Sequence, residues 1–99
     1  MQDLNALLTE NYVVLFMKGS SAYPTCGLSC MVYDLLRKCR LKFITVNLSA
    51  NPHIYVYLKE RYPAASVPYL YVGGRFVGGY DKIMSLFRSG KLKALCHTL

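Results

Sequence analysis

The chain has 99 residues, 54% of them hydrophobic, which is enough for one domain with a core of its own. Twelve lysines and arginines against five acidic residues give a net charge of +7, which attracts small anions. No apolar run is long enough to span a bilayer, so no membrane partner is expected, and no aromatic-rich basic motif favours nucleic acid.

The four cysteines, at positions 26, 30, 39 and 96, are too few and too unevenly spaced for a secreted disulfide framework. A zinc site built from Cys26, Cys30, Cys96 and His97 is disfavoured, because the first two lie one helical turn apart and the chain has no second pair with the spacing of a zinc knuckle. We therefore expect a reducing, cytoplasmic setting. A mitochondrion or another organelle is the alternative if a leader has been removed.

The first half of the chain alternates between helical and strand patterns. A leucine-rich segment predicts a helix over 3–10, and the apolar run at 12–17 is typical of a strand covered on both faces. Residues 26–39 predict a helix with one apolar stripe. The stripe comprises Leu28, Met31, Val32, Leu35, Leu36 and Cys39. It predicts that Leu28 packs inside rather than contacting a ligand, and that Cys39 lies in the core.

The second half begins with a strand over 42–48, which completes a βαβ unit with the preceding helix. A helix over about 51–61 follows, and Gly73-Gly74 between two strand-like runs predicts a hairpin. Asp81 is the predicted N-cap of a helix that continues to about residue 87, and the tail adds a short helix. The predicted class is α/β, with a four-stranded mixed sheet (βαβ half plus β-hairpin half) and helices on both faces.

Cys26 stands where the loop after the first strand enters a helix. A cysteine at this place meets unpaired backbone N–H groups and the positive end of the helix dipole, and both favour thiolate over thiol. Lys18, at the start of the loop, adds a cation if the loop folds back. These conditions lower a cysteine pKa and make the sulfur a nucleophile or a metal ligand.

The chain resembles the monothiol glutaredoxins of the thioredoxin fold superfamily over nearly its whole length. The motifs that carry the resemblance are FMKG (16–19), SSAYPTCGLS (20–29), SVP (66–68), YVGGRFVGG (71–79) and Gly-Gly-x-Asp (78–81). All occur in order and at the family's spacing, so residues 1–99 are identified as a single glutaredoxin domain. In the family motif Cys-Gly-Phe-Ser, Leu28 replaces the phenylalanine.

The resemblance implies a glutathione site around Cys26. By analogy, Lys18 pairs with the glycine carboxylate of glutathione, and Lys59 adds a second cation. Val67, ahead of a cis-Pro68, offers its backbone to the cysteine of the tripeptide. The γ-glutamyl end is implied to lie at a helix N-terminus formed by Gly79, Tyr80 and Asp81, where free N–H groups bind a carboxylate.

Three departures from the family pattern bear on this site. Ala64-Ala65 stands where the family usually has Trp-Pro, and Tyr55 takes the place of a glutathione-contacting arginine. Cys30 is an extra thiol that most members lack. These changes affect the affinity for glutathione, and the stability of an iron–sulfur cluster bound with it, more than the fold.

Two functions follow from the resemblance, and the sequence leaves both open. In the first, the protein is an iron–sulfur carrier: a monomer when apo, and a homodimer when Cys26 of each subunit and two glutathiones hold a bridging [2Fe–2S] cluster for apo iron–sulfur proteins. In the second, it is an enzyme, a glutathione-dependent thiol–disulfide oxidoreductase in which Cys26 attacks glutathionylated proteins. A longer loop before the cysteine, as here, is typical of poor reductases, so the carrier is preferred.

Overall fold

The computed structural model describes residues 3–20 and 26–96. The helices are Leu4–Glu10 (α1), Gly27–Lys38 (α2), Pro52–Arg61 (α3), Tyr80–Arg88 (α4) and Leu92–Cys96 (α5). The strands are Val13–Met17 (β1), Ile44–Asn47 (β2), Tyr69–Val72 (β3) and Arg75–Gly78 (β4). No helix in the described ranges is both long and apolar enough to cross a membrane.

The strands form one sheet in the order β2-β1-β3-β4. β1 pairs in parallel with β2 and antiparallel with β3, and β3 pairs antiparallel with β4. The parallel pair β1–β2 is thus joined to the antiparallel hairpin β3–β4, which confirms the predicted mixed sheet. The hairpin turns at Gly73 and Gly74, whose φ angles of 60° and 79° are those a tight turn of this type requires.

Helices cover both faces of the sheet, as predicted. Alternate residues of β1 point to opposite sides because side chains alternate along a strand. Val13 and Leu15 enter a core shared with α2, α4 and α5. Val14 and Phe16 enter a second core shared with α3, against which α1 also packs. All five residues of β1 are buried, which is why this strand reads as a continuous apolar run.

The predicted stripe of α2 is partly wrong. The buried residues of the helix are Ser29, Val32 and Leu36, whereas Leu28 is 38% exposed and Met31 is 54% exposed. The apolar positions of α2 cover a band wider than the contact with the sheet. The side of the helix that packs against the sheet carries Ser29, Val32 and Leu36. The side that carries Leu28 and Met31 faces solvent.

The start of α4 also differs from the prediction. Gly79, rather than Asp81, is the N-cap, and Asp81 is an exposed residue of the first turn. The chain segment around Ser66 decides the difference, because the Tyr80 N–H donates to the Ser66 carbonyl at 3.1 Å. A backbone group from another part of the chain thus satisfies one of the N–H groups that a helix start leaves without an intrahelical partner.

Candidate functional site

Cys26 is the N-cap residue of α2, with an extended backbone, and its carbonyl accepts the first helical hydrogen bond from the Cys30 N–H at 3.0 Å. The side chain is half-buried. The predicted position of the thiol at a helix start is therefore confirmed. Because α2 continues regularly from this point, the Cys30 thiol is carried one turn further along the helix, and both cysteines are free thiols.

The pKa of the Cys26 thiol lies below its ordinary value. Burial by itself raises this pKa, but hydrogen bonds from the Ser29 N–H, the Ser29 hydroxyl and the Leu28 N–H outweigh burial, and the positive charge of Lys18 adds to them. Each of these groups stabilises the charged sulfur more than the neutral thiol. The Cys26 thiol is therefore more acidic than an ordinary cysteine thiol, and it is only half-buried.

Ser29 is a functional residue that the sequence reasoning missed. Its side chain is fully buried, and its hydroxyl oxygen accepts the Lys18 N–H at 3.2 Å while the hydroxyl donates toward Cys26. One hydroxyl therefore ties the end of β1 to the first turn of α2 and supports the thiolate. A signal was present in the spacing, because Ser29 lies three residues before Val32 on what proves to be the buried face.

Tyr55 brings the two predicted lysines together. The Lys18 Nζ lies 5.4 Å from the centroid of the Tyr55 ring, and the Lys59 Nζ lies 5.2 Å from it. Cation–π contacts of this kind contribute roughly 0.5–1 kcal/mol each at exposed sites. Neither lysine forms an ion pair with a carboxylate in the described ranges. The aromatic ring thus holds two unpaired ammonium groups near the end of β1, where an anion can bind.

Val67 and Pro68 reach the same end of the sheet. Phe16 of β1 is the register partner of Tyr69 of β3, so the segment ahead of Tyr69 enters the sheet at the end where β1 leads into Lys18. The Val67–Pro68 peptide bond is cis, as the resemblance implied. The backbone of Val67 therefore lies ahead of a strand that faces the start of the Cys26 loop.

Gly79 and Asp81 line a cleft of about 310 Å³ together with Ala64 and Ala65. A Cβ at Gly79 would overlap the Ser66 carbonyl oxygen and would come within 2.8 Å of the Ser66 nitrogen. Only glycine allows the start of α4 to approach this segment so closely. The first intrahelical bond of α4 runs from the Ile83 N–H, so the N–H groups before it are directed to the helix end.

The remaining cysteines occupy different surroundings. Cys30 is half-buried and directs its thiol to the Asp34 carboxylate at 4.0 Å. Cys39 is partly buried against the core, close to its predicted place. Cys96 is buried in the same core, and burial together with Cys39 raises the pKa of its thiol to about 11. His97 lies outside the described residues.

The family model for glutaredoxin matches residues 13–77. An uncharacterized monothiol glutaredoxin ycf64 of Porphyra purpurea is 35% identical over 96 residues, covering 97% of this chain and 90% of the relative. The chloroplastic monothiol glutaredoxin-S14 of Arabidopsis thaliana is 38% identical, over 94% of this chain and 57% of its own length. A crystal structure of a buckwheat glutaredoxin–glutathione complex superposes with a TM-score of 0.77 at 28% identity, covering 92% of this chain and 81% of that chain. The chain therefore belongs to the glutaredoxin family, with monothiol glutaredoxins among its relatives.

Proposed function

We propose that this protein binds glutathione beside Cys26 and that two copies, each with one glutathione, carry a [2Fe–2S] cluster to apo iron–sulfur proteins. The observation that carries the proposal is the environment of Cys26. Its thiol is half-buried and has a lowered pKa at the start of a helix, which is the state required of a metal-binding sulfur.

The four thiols of one chain are too dispersed to hold a cluster together, and a cluster generally requires four thiolates. Within residues 3–20 and 26–96, no group of three or more His, Cys, Asp or Glu side chains is placed to hold a metal ion. Cys96 and Cys39 belong to the core. A cluster at Cys26 therefore needs ligands from outside the chain, and a second copy plus two glutathiones supply the remaining three. We further propose that the apo protein is a monomer, because without the cluster nothing in this proposal joins the two copies.

The proposed glutathione site extends from Lys18 to the start of α4. The Lys18 and Lys59 ammonium groups, held on Tyr55, bind the glycine carboxylate as two point charges in place of the family's arginine. The backbone of Val67 pairs with the cysteine of the tripeptide. The N-terminus of α4 binds the γ-glutamyl carboxylate through the Gly79 and Asp81 N–H groups, and the Asp81 carboxylate accepts from the α-amino group. Tyr80 fixes this helix start, because its own N–H donates to the Ser66 carbonyl.

The likeness to a glutaredoxin crystallised with glutathione supports this ligand. So does the local charge, because the glycine carboxylate meets two cations that have no acidic partner among the described residues. Leu28 is exposed beside Cys26, so we place it against the bound glutathione or the second subunit rather than in the core.

The second candidate function is reduction of glutathionylated proteins, and the lowered pKa of Cys26 favours it equally. The Cys26 thiolate attacks the glutathione sulfur of a protein–glutathione disulfide, forms a Cys26–glutathione disulfide and releases the protein thiolate. A free glutathione thiolate then attacks the glutathione sulfur of that disulfide. This second step yields oxidised glutathione and returns Cys26 to the thiolate.

Anaerobic reconstitution with ferrous iron, sulfide and glutathione separates the two functions. The carrier predicts a coloured dimer that forms with Cys30→Ser, fails with Cys26→Ser and does not form without glutathione. A colourless monomer that rapidly deglutathionylates a protein substrate would contradict the carrier and favour the reductase. Calorimetric titration with glutathione alone tests the ligand site, and an absence of binding would overturn both functions.

A further inference from the structure

The edge strand β2 leaves backbone groups directed away from the sheet. The Leu48 N–H donates to the Met17 carbonyl at 2.8 Å, so this residue faces β1. Along a strand, the backbone N–H and carbonyl groups of successive residues point alternately toward and away from a neighbouring strand. The N–H and carbonyl of Thr45, three residues before Leu48, consequently point away from β1. β2 is the outermost strand of the sheet on this side, and three of its four residues are only partly buried. It is therefore open to pairing with another extended segment.

A cleft of about 450 Å³ lies along this edge, between the second half of α2 and β2. Tyr33 and Phe43 line it and contact each other edge to face, with ring centroids 5.7 Å apart. Both rings are half-buried, so they offer apolar surface to a side chain from outside. The cleft thus combines a strand edge with an aromatic floor on which alternate side chains of an added strand can pack.

Basic side chains surround the cleft. Arg37 and Lys42 line it, and Arg40 lines a neighbouring cleft of about 470 Å³ that shares Lys42 and Phe43 with the first. The Arg37 guanidinium lies 5.9 Å from the Tyr33 ring centroid. Glu10 is the single acidic residue that lines either cleft, and no carboxylate in the described ranges pairs with these three cations.

Arg40 occupies a position where glycine is favoured. It follows the end of α2 with a φ of 58°, the left-handed conformation that closes many helices. A residue with a side chain is strained in this conformation, whereas glycine is not. The conformation ends α2 while keeping a guanidinium at the edge of the second cleft, which argues that the charge has a use there.

We propose that the basic edge, formed by β2 with Arg37, Arg40 and Lys42, binds an extended acidic segment of a partner protein by strand addition. Backbone pairing to Thr45 supplies the geometry, the Tyr33–Phe43 floor receives apolar side chains, and the cations select acidic neighbours. A second copy of this chain is disfavoured as the occupant, because its charge of +7 repels the same edge. Nucleic acid is disfavoured because it cannot pair with strand backbone groups.

The basic edge is separate from Cys26. Arg37 and Arg40 lie at or just beyond the far end of α2 from Cys26, and the 12 residues of this helix span about 18 Å along its axis. A partner held at the edge therefore leaves the thiol accessible. The proposal goes beyond the carrier function and does not depend on it, since the binding test needs neither glutathione nor a cluster.

Fluorescence anisotropy with a labelled peptide of alternating glutamate and valine tests the proposal on the full chain. We expect saturable binding that weakens roughly tenfold with Lys42→Glu, while Arg88→Glu, the same charge change on α4, leaves it nearly unchanged. A lysine–valine peptide should not bind. No saturable binding of the acidic peptide, or an equal loss with Arg88→Glu, would overturn the proposal.

Two measurements test whether the backbone is used. Thr45→Pro removes the outward N–H without removing a bond to β1, so the fold should survive and peptide affinity should fall. Methylation of alternate peptide nitrogens probes the same pairing without altering the protein, and it decides the question if Thr45→Pro does not fold. If the N-methylated peptide bound with unchanged affinity, the interaction would depend on charge alone and strand addition would be wrong. A short oligothymidylate that binds more tightly than the peptide, and that Lys42→Glu weakens, would assign the surface to nucleic acid instead.

Discussion

The N-termini of α2 and α4 offer the same positive helix end, but the first is loosely packed and the second is tightly packed. Both present backbone N–H groups at the positive end of a helix. At α2 no atom of the described residues, apart from the neighbouring turn of the helix, lies within 4 Å of a Cβ built on Gly27, and the group at the helix start is the Cys26 thiol, whose pKa is lowered. At α4 the Ser66 backbone closes on Gly79, and we propose that the anion comes from the ligand. On this account, the open start of α2 leaves the Cys26 sulfur available for reaction, and the closed start of α4 fixes the position of a bound anion.

The largest effect is expected at the open start. Cys26→Ser replaces a thiolate with a hydroxyl that stays protonated, so rapid alkylation by iodoacetamide below the ordinary thiol pKa should be lost completely. Mass spectrometry of the wild type should find the fast site at Cys26 and slow modification at Cys96, whose thiol is buried with a pKa of about 11. Equal alkylation rates at Cys26 and Cys96 would contradict the lowered pKa of the Cys26 thiol.

The closed start should respond to added volume. Gly79→Ala forces a Cβ against the Ser66 backbone and is expected to destabilise the fold by about 1–3 kcal/mol. Gly27→Ala is the matched change at the open start and should stay within about 0.5 kcal/mol of the wild type. Urea unfolding of both variants checks the pair, and equal losses would show that the two starts are equally constrained.

Ser29 links the thiolate to the rest of the fold. Ser29→Ala leaves the part-buried Lys18 N–H without its acceptor and is expected to cost about 1 kcal/mol of stability. The pKa of Cys26 should rise at the same time, because a donor to the thiolate is lost. Thiolate absorbance against pH measures the pKa, and an unchanged titration would show that the hydroxyl has a structural role alone.

The same variant predicts a change in the pH dependence of stability. The folded pKa of Cys26 lies below the ordinary 9.0, so between the two values the unfolded chain binds more protons than the folded one. Stability from this group therefore rises with pH in that window and is lost as the pH falls through the folded pKa. Ser29→Ala should flatten this rise, and a slope as steep as in the wild type would contradict the assignment.

The smallest effect is expected at Tyr55. Tyr55→Leu removes the ring face beneath Lys18 and Lys59 and should weaken glutathione binding by about fivefold, or roughly 1 kcal/mol. Tyr55→Phe keeps the ring and should bind nearly as the wild type does. Calorimetry on the two variants sharpens the account of the anion site. If Tyr55→Phe lost as much affinity as Tyr55→Leu, the hydroxyl rather than the ring would matter.

Much of the fold could be read from local pattern. The apolar run of β1, the Gly73-Gly74 turn and the placement of Cys26 ahead of α2 each follow from signals within a few residues, and the structure confirms them. The site was less accessible to that reasoning. Lys18 and Lys59 could be named through the resemblance, and helical spacing places Tyr55 beside Lys59, but the contact of the same ring with Lys18 depends on tertiary packing.

By itself, the sequence determined the order of the elements, the two-faced burial of β1 and the thiol at a helix start, because all three depend on period and spacing along the chain. Only the tertiary structure decided which flank of α2 is buried, that Ser29 supports the sulfur, and that Gly79 rather than Asp81 begins α4. Those outcomes depend on which distant backbone or side-chain group arrives at a helix end. That is set by strand register and close packing, which no local pattern encodes.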